Sequence, residues 1–129
     1  MKAILFVDDH EVLARLACEI LQMQGYRAEY AYKASEALAK FDHEKFDMLV
    51  TDYRMEEMDG LELTKLIRRK APDLPVIVVS GYAQVESSGE KVVWLEKQDM
   101  FPALLEKVKV LLGEGEPEKR GGRETLKSA

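Results

Sequence analysis

Residues Ala3-Ile4-Leu5-Phe6-Val7 form an uninterrupted apolar run that ends directly at Asp8 and Asp9. Five apolar residues with no polar break suit a strand covered on both of its faces. The same form recurs in Met48-Leu49-Val50, in Val76-Ile77-Val78-Val79 after Pro72 and Pro75, and in Val92-Val93-Trp94-Leu95. A further segment alternates instead, with Tyr26, Ala28, Tyr30 and Tyr32 on one side and Arg27 and Glu29 on the other. One wet face predicts a strand at the edge of a sheet.

Helical patterns separate these strands. Glu11 to Gln24 places Val12, Leu13, Leu16, Ala17, Ile20 and Leu21 on one face, and Gly25 is a natural stop. Ser35 to Phe41 makes a short second helix. Asp59 to Lys70 makes a third, apolar at Leu61, Leu63, Leu66 and Ile67, with Arg68, Arg69 and Lys70 opposing the helix dipole at its end. Asp99 to Leu112 turns Leu104, Leu105, Val108, Leu111 and Leu112 inward. Between the last two strands, Gly81 to Lys91 is broken by Ser87-Ser88-Gly89 and has room for one or two helical turns. From Gly113 on there is no apolar periodicity, which reads as a tail or linker. Strands alternating with helices predict an α/β fold, a mostly parallel sheet with helices on both faces.

That architecture gives the strand ends a meaning. Asp8 and Asp9 follow the first run, Asp52 comes two residues after Val50, Ser80 follows Val79, and Lys97 comes two residues after Leu95. In a parallel sheet these positions share the carboxyl edge, where ligands bind. Three neighbouring carboxylates repel one another and raise at least one pKa unless a cation relieves them. Oxygen donors in an open crevice suit Mg²⁺, with Mn²⁺ an acceptable substitute. With a metal and Lys97 at hand, a carboxylate can attack phosphorus and become an aspartyl phosphate.

The charge of −5 lies wholly in residues 1–112, where 20 acids face 15 bases; residues 113–129 are neutral. An acidic balance argues against direct nucleic-acid binding. No stretch approaches a signal sequence or a membrane span. Cys18 is the only cysteine, which excludes an internal disulfide and a Cys-rich zinc module and suits a reducing cytoplasm. His10 and His43 lack any ligand spacing, and His10 reads as the residue that starts a helix beside the acids. Lys119, Arg120 and Arg123 read as a solvated tail.

Four motifs, Phe6-Val7-Asp8-Asp9, Asp52-Tyr53-Arg54-Met55-Glu56-Glu57-Met58-Asp59-Gly60, Val79-Ser80-Gly81 and Trp94-Leu95-Glu96-Lys97, occur in this order. Together they resemble the receiver domain of two-component response regulators of the chemotaxis-regulator type. The resemblance spans residues 1–112 as the domain and leaves 113–129 as a flexible tail or linker. It implies a flavodoxin-like, doubly wound, five-stranded parallel sheet of order 2-1-3-4-5. It further implies that Asp52 is the phosphoacceptor and that Asp8, Asp9, Asp52 and the Arg54 backbone carbonyl hold Mg²⁺. Lys97 and Ser80 would contact the phosphoryl group, and Ser80 and Trp94 would form the switch. The implied donor is a phosphohistidine on a histidine kinase or histidine phosphotransfer protein. The output would be a downstream protein or an output domain outside this chain, reached without membrane or nucleic-acid contact. Such a module is no enzyme beyond catalysing its own phosphorylation and dephosphorylation.

The chain departs from the family in several places. Glu56 stands where proline is usual. So does Gln98, and a non-proline cis bond costs about 3 kcal/mol, so a trans Lys97-Gln98 peptide is expected. The span from Ser80 to Lys97 is short by about one helical turn, which predicts a shortened or absent fourth helix and no dimer through the usual face there. Arg54 and Tyr82 occupy positions that modulate dephosphorylation, and their bulk predicts a long-lived phosphoryl group. Two other readings compete: a degenerate receiver acting as a scaffold, and a Mg²⁺-dependent phosphohydrolase. The latter needs a carboxylate two residues beyond the nucleophile, where this chain has Arg54.

Overall fold

The computed structural model describes residues 1–81 and 90–114. Five strands, β1 (Ala3–Val7), β2 (Arg27–Ala31), β3 (Met48–Asp52), β4 (Val76–Ser80) and β5 (Val93–Glu96), lie parallel in the order β2-β1-β3-β4-β5. Between and after them come α1 (Glu11–Met23), α2 (Ala34–His43), α3 (Gly60–Arg68), a 3-10 turn (Lys97–Asp99) and α4 (Met100–Leu111). The expected α/β class and strand order are both present.

Every residue of β1, β3 and β4 is buried, because the pleat sends alternate side chains into two separate cores. Ile4, Phe6, Val50, Ile77 and Val79 face one core with Ala17 and Leu21 of α1 and Leu104 and Val108 of α4. Leu5, Val7, Leu49 and Val78 face the other with Ala34 and Ala37 of α2 and Leu63 and Ile67 of α3. Continuous apolar runs are the consequence of having helices on both sides.

One local expectation needs correction. Val12 and Leu16 do not face the core: they are 70% and 44% exposed. α1 is rotated so that its small residues, Ala14, Ala17 and Cys18, meet the sheet along with Leu21. Small side chains let the helix axis approach closely, and the apolar pattern alone, being wider than the buried stripe, could not tell which part would win. The Cys18 thiol sits in that contact, where burial pushes its pKa up to about 12. β2 is the edge strand expected, and its polar side is part-exposed. Arg27 bonds the carboxylates of Glu29 and Glu44 and lies 4.9 Å over the Phe46 ring, while Lys40 of α2 pairs with Glu29 at 3.8 Å. Arg27 and Glu29 remain 36% and 27% exposed, so charge on that side is both paired and wet.

α1 ends as expected at Gly25, whose φ of +96° is the left-handed conformation that glycine adopts without cost. The expectation of a shortened or absent fourth helix, and Tyr82 with it, falls on residues 82–89, outside the described residues; so does the tail from residue 115. Among the described residues no helix is long and apolar enough to cross a membrane.

Candidate functional site

Asp8 follows β1 while its backbone N–H still donates to the Ala31 carbonyl of β2 at 3.0 Å. Its carboxylate Oδ1 accepts from the His10 backbone N–H at 2.9 Å. His10 caps α1, its Nδ1 accepting from the Leu13 N–H at 3.2 Å, so the acid and the helix start are one braced turn. Asp52 is the last residue of β3, in register with Val79 of β4. One carboxylate oxygen from each of Asp8, Asp9 and Asp52 lies within 4.8 Å of the others. Asp8 and Asp52 are buried and Asp9 is exposed, so the cluster is a half-open pit at the carboxyl edge of the sheet.

Lys97 opens the 3-10 turn after β5 and points back across the edge. Its Nζ stands 3.2 Å from Asp52 Oδ2 and 3.9 Å from Asp8 Oδ2. No described peptide bond is cis, so Lys97 reaches the site through a trans bond to Gln98. One ammonium does not offset two buried carboxylates. Burial raises the Asp52 pKa, with Lys97 opposing the rise and Asp9 adding to it. Burial likewise takes Asp8 up to about 6; the His10 N–H and Lys97 pull it down, Asp52 and Asp9 push it up. Uncompensated negative charge on hard oxygen donors that already converge is what a small divalent cation requires, so the residues present fit Mg²⁺.

The remaining residues surround this pit. Ser80 ends β4, buried, one step beyond the partner of Asp52. Arg54 lies in the β3–α3 loop with an exposed side chain. Trp94 packs edge-on against Tyr53, ring centroids 5.6 Å apart, beside the core under α3. Gly60 begins α3 pressed against the end of β3: a Cβ there would stand 2.5 Å from the Asp52 carbonyl oxygen. Its N–H also donates to the Tyr53 carbonyl at 2.8 Å.

Residues 4–100 match the response regulator receiver domain. The chain belongs to that family. Among solved structures, this receiver is similar to the response regulator TrrA of Thermotoga maritima in complex with Mg²⁺-BeF, with a TM-score of 0.76 and 35% identity over 86% of this chain and 99% of that one. It also superposes on the chemotaxis protein CheY4 of Vibrio cholerae, with a TM-score of 0.79 and 28% identity over 86% of this chain and 98% of that one. Among curated relatives it is 36% identical over 67% of its length to the transcriptional regulatory protein ZraR of Klebsiella oxytoca, of which it spans only 20%. The response regulator receiver protein CpdR of Brucella abortus is 33% identical over 66% of this chain and 71% of its own length.

Sequence reasoning named the acids, Ser80, Arg54, Trp94 and Lys97, and all but Trp94, which stands within β5 level with Val78, lie at or beside the carboxyl edge. It did not single out Tyr53 as the neighbour of Trp94, nor the close approach at Gly60. A glycine in the first turn of a helix, where it costs stability, was the signal available for the latter. Glu57 and Asp59 follow Asp52 closely in sequence, but they part company. Asp59 and Glu62 form a reciprocal capping box on α3, and Glu57 turns to α2.

Proposed function

We propose that this receiver is a phosphoacceptor in a two-component phosphorelay, taking a phosphoryl group onto Asp52 from a phosphohistidine of a histidine kinase or phosphotransfer protein. The convergence of three carboxylates within 4.8 Å, with the Lys97 ammonium 3.2 Å from one of them, carries the reading. Asp8, Asp9, Asp52 and the Arg54 carbonyl are the groups that would hold Mg²⁺. Bound there, it supplies positive charge that relieves the carboxylates and stabilises the transferring group.

Asp52 is the nucleophile. One of its oxygens forms the new O–P bond as the P–N bond to the donor breaks, and that bond's electron pair stays on the imidazole nitrogen. Lys97, paired with Asp52 beforehand, exchanges that partner for a phosphoryl oxygen, and the Ser80 hydroxyl donates to another. Drawing Ser80 inward shifts β4 and the Trp94 ring, which biases two pre-existing shapes of the β4–β5 surface. The recipient of that change is a downstream protein or an output domain. Arg54, bulky and cationic beside the site, slows attack by water, so the isolated protein keeps its phosphate for minutes or longer. A half-life of seconds would contradict this.

Titration with Mg²⁺ and then beryllofluoride, followed through the fluorescence of Trp94, tests the assignment. A saturable response is expected in the wild type, with one hydroxylamine-labile phosphate gained by mass after incubation with a small phosphoramidate donor, and neither in Asp52→Asn. Silence in both measurements would favour a phosphorylation-independent scaffold. Steady turnover of a phosphate ester would favour a phosphohydrolase.

A further inference from the structure

We propose that Glu57 is a positioning residue for the phosphoacceptor site: from the β3–α3 loop it clamps the first turn of α2, and so fixes the stretch of loop that presents the Arg54 carbonyl beside Asp52. The inference rests on the phosphoacceptor reading and deepens it.

The clamp is two-pronged. Glu57 Oε1 accepts from the Ser35 backbone N–H at 2.8 Å and Oε2 accepts from the Ser35 hydroxyl at 3.0 Å. The first N–H groups of a helix have no partner within it and need one from outside. Lys33, at the N-cap of α2, provides no side-chain cap. A carboxylate from 22 residues away in sequence therefore does the capping, at the helix end that favours negative charge. The two bonds from Ser35 hold the Glu57 carboxyl below its ordinary range, so the clamp is charged at neutral pH.

Glu57 is thus spent on α2, and it stands outside the cluster formed by Asp8, Asp9 and Asp52. Its effect on that cluster runs through the backbone. The loop is tied to the sheet at its start, where the Tyr53 N–H donates to the Val79 carbonyl at 2.8 Å. Its end is tied by the Gly60 N–H on Tyr53 and by the Asp59 cap. Arg54 lies between the Tyr53 tie and the Glu57 clamp. A side-chain ligand can be re-aimed by a rotamer, whereas a carbonyl ligand can be re-aimed only by moving the chain. Its placement therefore depends on what anchors the loop on either side.

Removal of the clamp should show in metal affinity before it shows in folding. Mg²⁺ binding would be measured by calorimetry and by Trp94 fluorescence, at a temperature where every variant is folded. Glu57→Ala is expected to weaken Mg²⁺ about tenfold, the scale on which outer partners of metal ligands act. Glu57→Gln loses the charge, yet its amide can accept from the Ser35 N–H and donate to the hydroxyl, so it should remain close to wild type. Glu56→Gln controls for charge alone, and Ile67→Val, which trims the buried core under α3, controls for stability; both should also bind Mg²⁺ like the wild type. Unchanged affinity in Glu57→Ala would overturn the inference. So would a Glu57→Gln protein as weak as Glu57→Ala, since the loss would then be one of charge. If the wild type itself neither bound Mg²⁺ nor took phosphate on Asp52, the phosphoacceptor reading would fall, and the clamp's purpose with it.

Discussion

Asp8 is more deeply buried than Asp52 or Asp9, and its carboxyl holds a proton up to about pH 6, against an ordinary 3.8. A carboxyl raised in this way binds its proton more tightly folded than unfolded. Between about pH 4 and pH 6 the metal-free protein should therefore gain stability from this group as pH falls, and lose it as pH rises. The cost at neutral pH is bounded by roughly 3 kcal/mol, from a shift of about two pKa units. Asp8→Asn keeps an oxygen to accept from the His10 N–H, so the metal-free variant should melt several degrees higher than the wild type at pH 7. Mg²⁺ should stabilise the wild type and do much less for the variant. Equal melting temperatures without metal would show that burial of this charge costs nothing. Gly60 sets the opposite limit. Gly60→Ala places a methyl 2.5 Å from the Asp52 carbonyl oxygen, and an overpacked contact costs about 1–3 kcal/mol. Denaturant unfolding should show that loss together with weaker Mg²⁺ binding, because the atom displaced belongs to Asp52, one of the three converging acids.

Among the elements, α1 has two faces with separate work. The inner face is made of small residues and carries the sheet contact. The outer one exposes Val12 and Leu16 one turn apart, flanked by Arg15 and Glu19, and it starts at His10, directly after Asp9. On the phosphoacceptor reading proposed above, an apolar stripe that leads out of the acidic pit would suit the helix of a phosphohistidine-bearing partner bringing its imidazole to Asp52. Leu16→Glu should leave phosphorylation by a small phosphoramidate donor unchanged and slow transfer from a phosphotransfer protein by about tenfold or more, the cost of about 1.4 kcal/mol of docking energy. Equal slowing with both donors would place the defect in the site and not in docking. α3 differs again. Its start is held by the Asp59–Glu62 capping box and its end by Arg68, which bonds the Leu74 and Lys91 carbonyls, so its position against β3 is set from both ends.

On the scale of the molecule, the folded unit runs slightly beyond the boundary expected at residue 112. The Glu114 N–H donates to the Lys109 carbonyl at 2.7 Å, and its carboxylate accepts from the Tyr26 hydroxyl at 2.7 Å, tying the end of α4 to the turn before β2. A chain ending at Glu114 should keep the melting temperature and Mg²⁺ affinity of the full chain, and one ending at Leu111 should lose stability; thermal unfolding decides between them. A further loss on trimming residues 115–129 would mean that the tail belongs to the fold. Much of this unit was legible in the sequence. Unbroken apolar runs require two covered faces, and chemistry-bearing residues just past four such runs require a shared edge, so strand order aside, Asp8, Asp9, Asp52, Ser80 and Lys97 could be placed from spacing alone. The rest was a matter of competition between partners far apart in the chain. Which apolar residues of α1 turn inward depended on how closely the helix could approach the sheet, and the helix settled on its alanines. Which partners Arg27 and Glu29 took depended on Lys40 of α2 and Glu44 just after it. The acidic run after Asp52 looked uniform because like charges are indistinguishable until their partners are known. Local order in a chain follows from periodicity, which a sequence displays. The assignment of each polar group to one partner among many follows from packing, and only the tertiary structure could send Asp52 to Lys97, Asp59 to its own helix and Glu57 to Ser35.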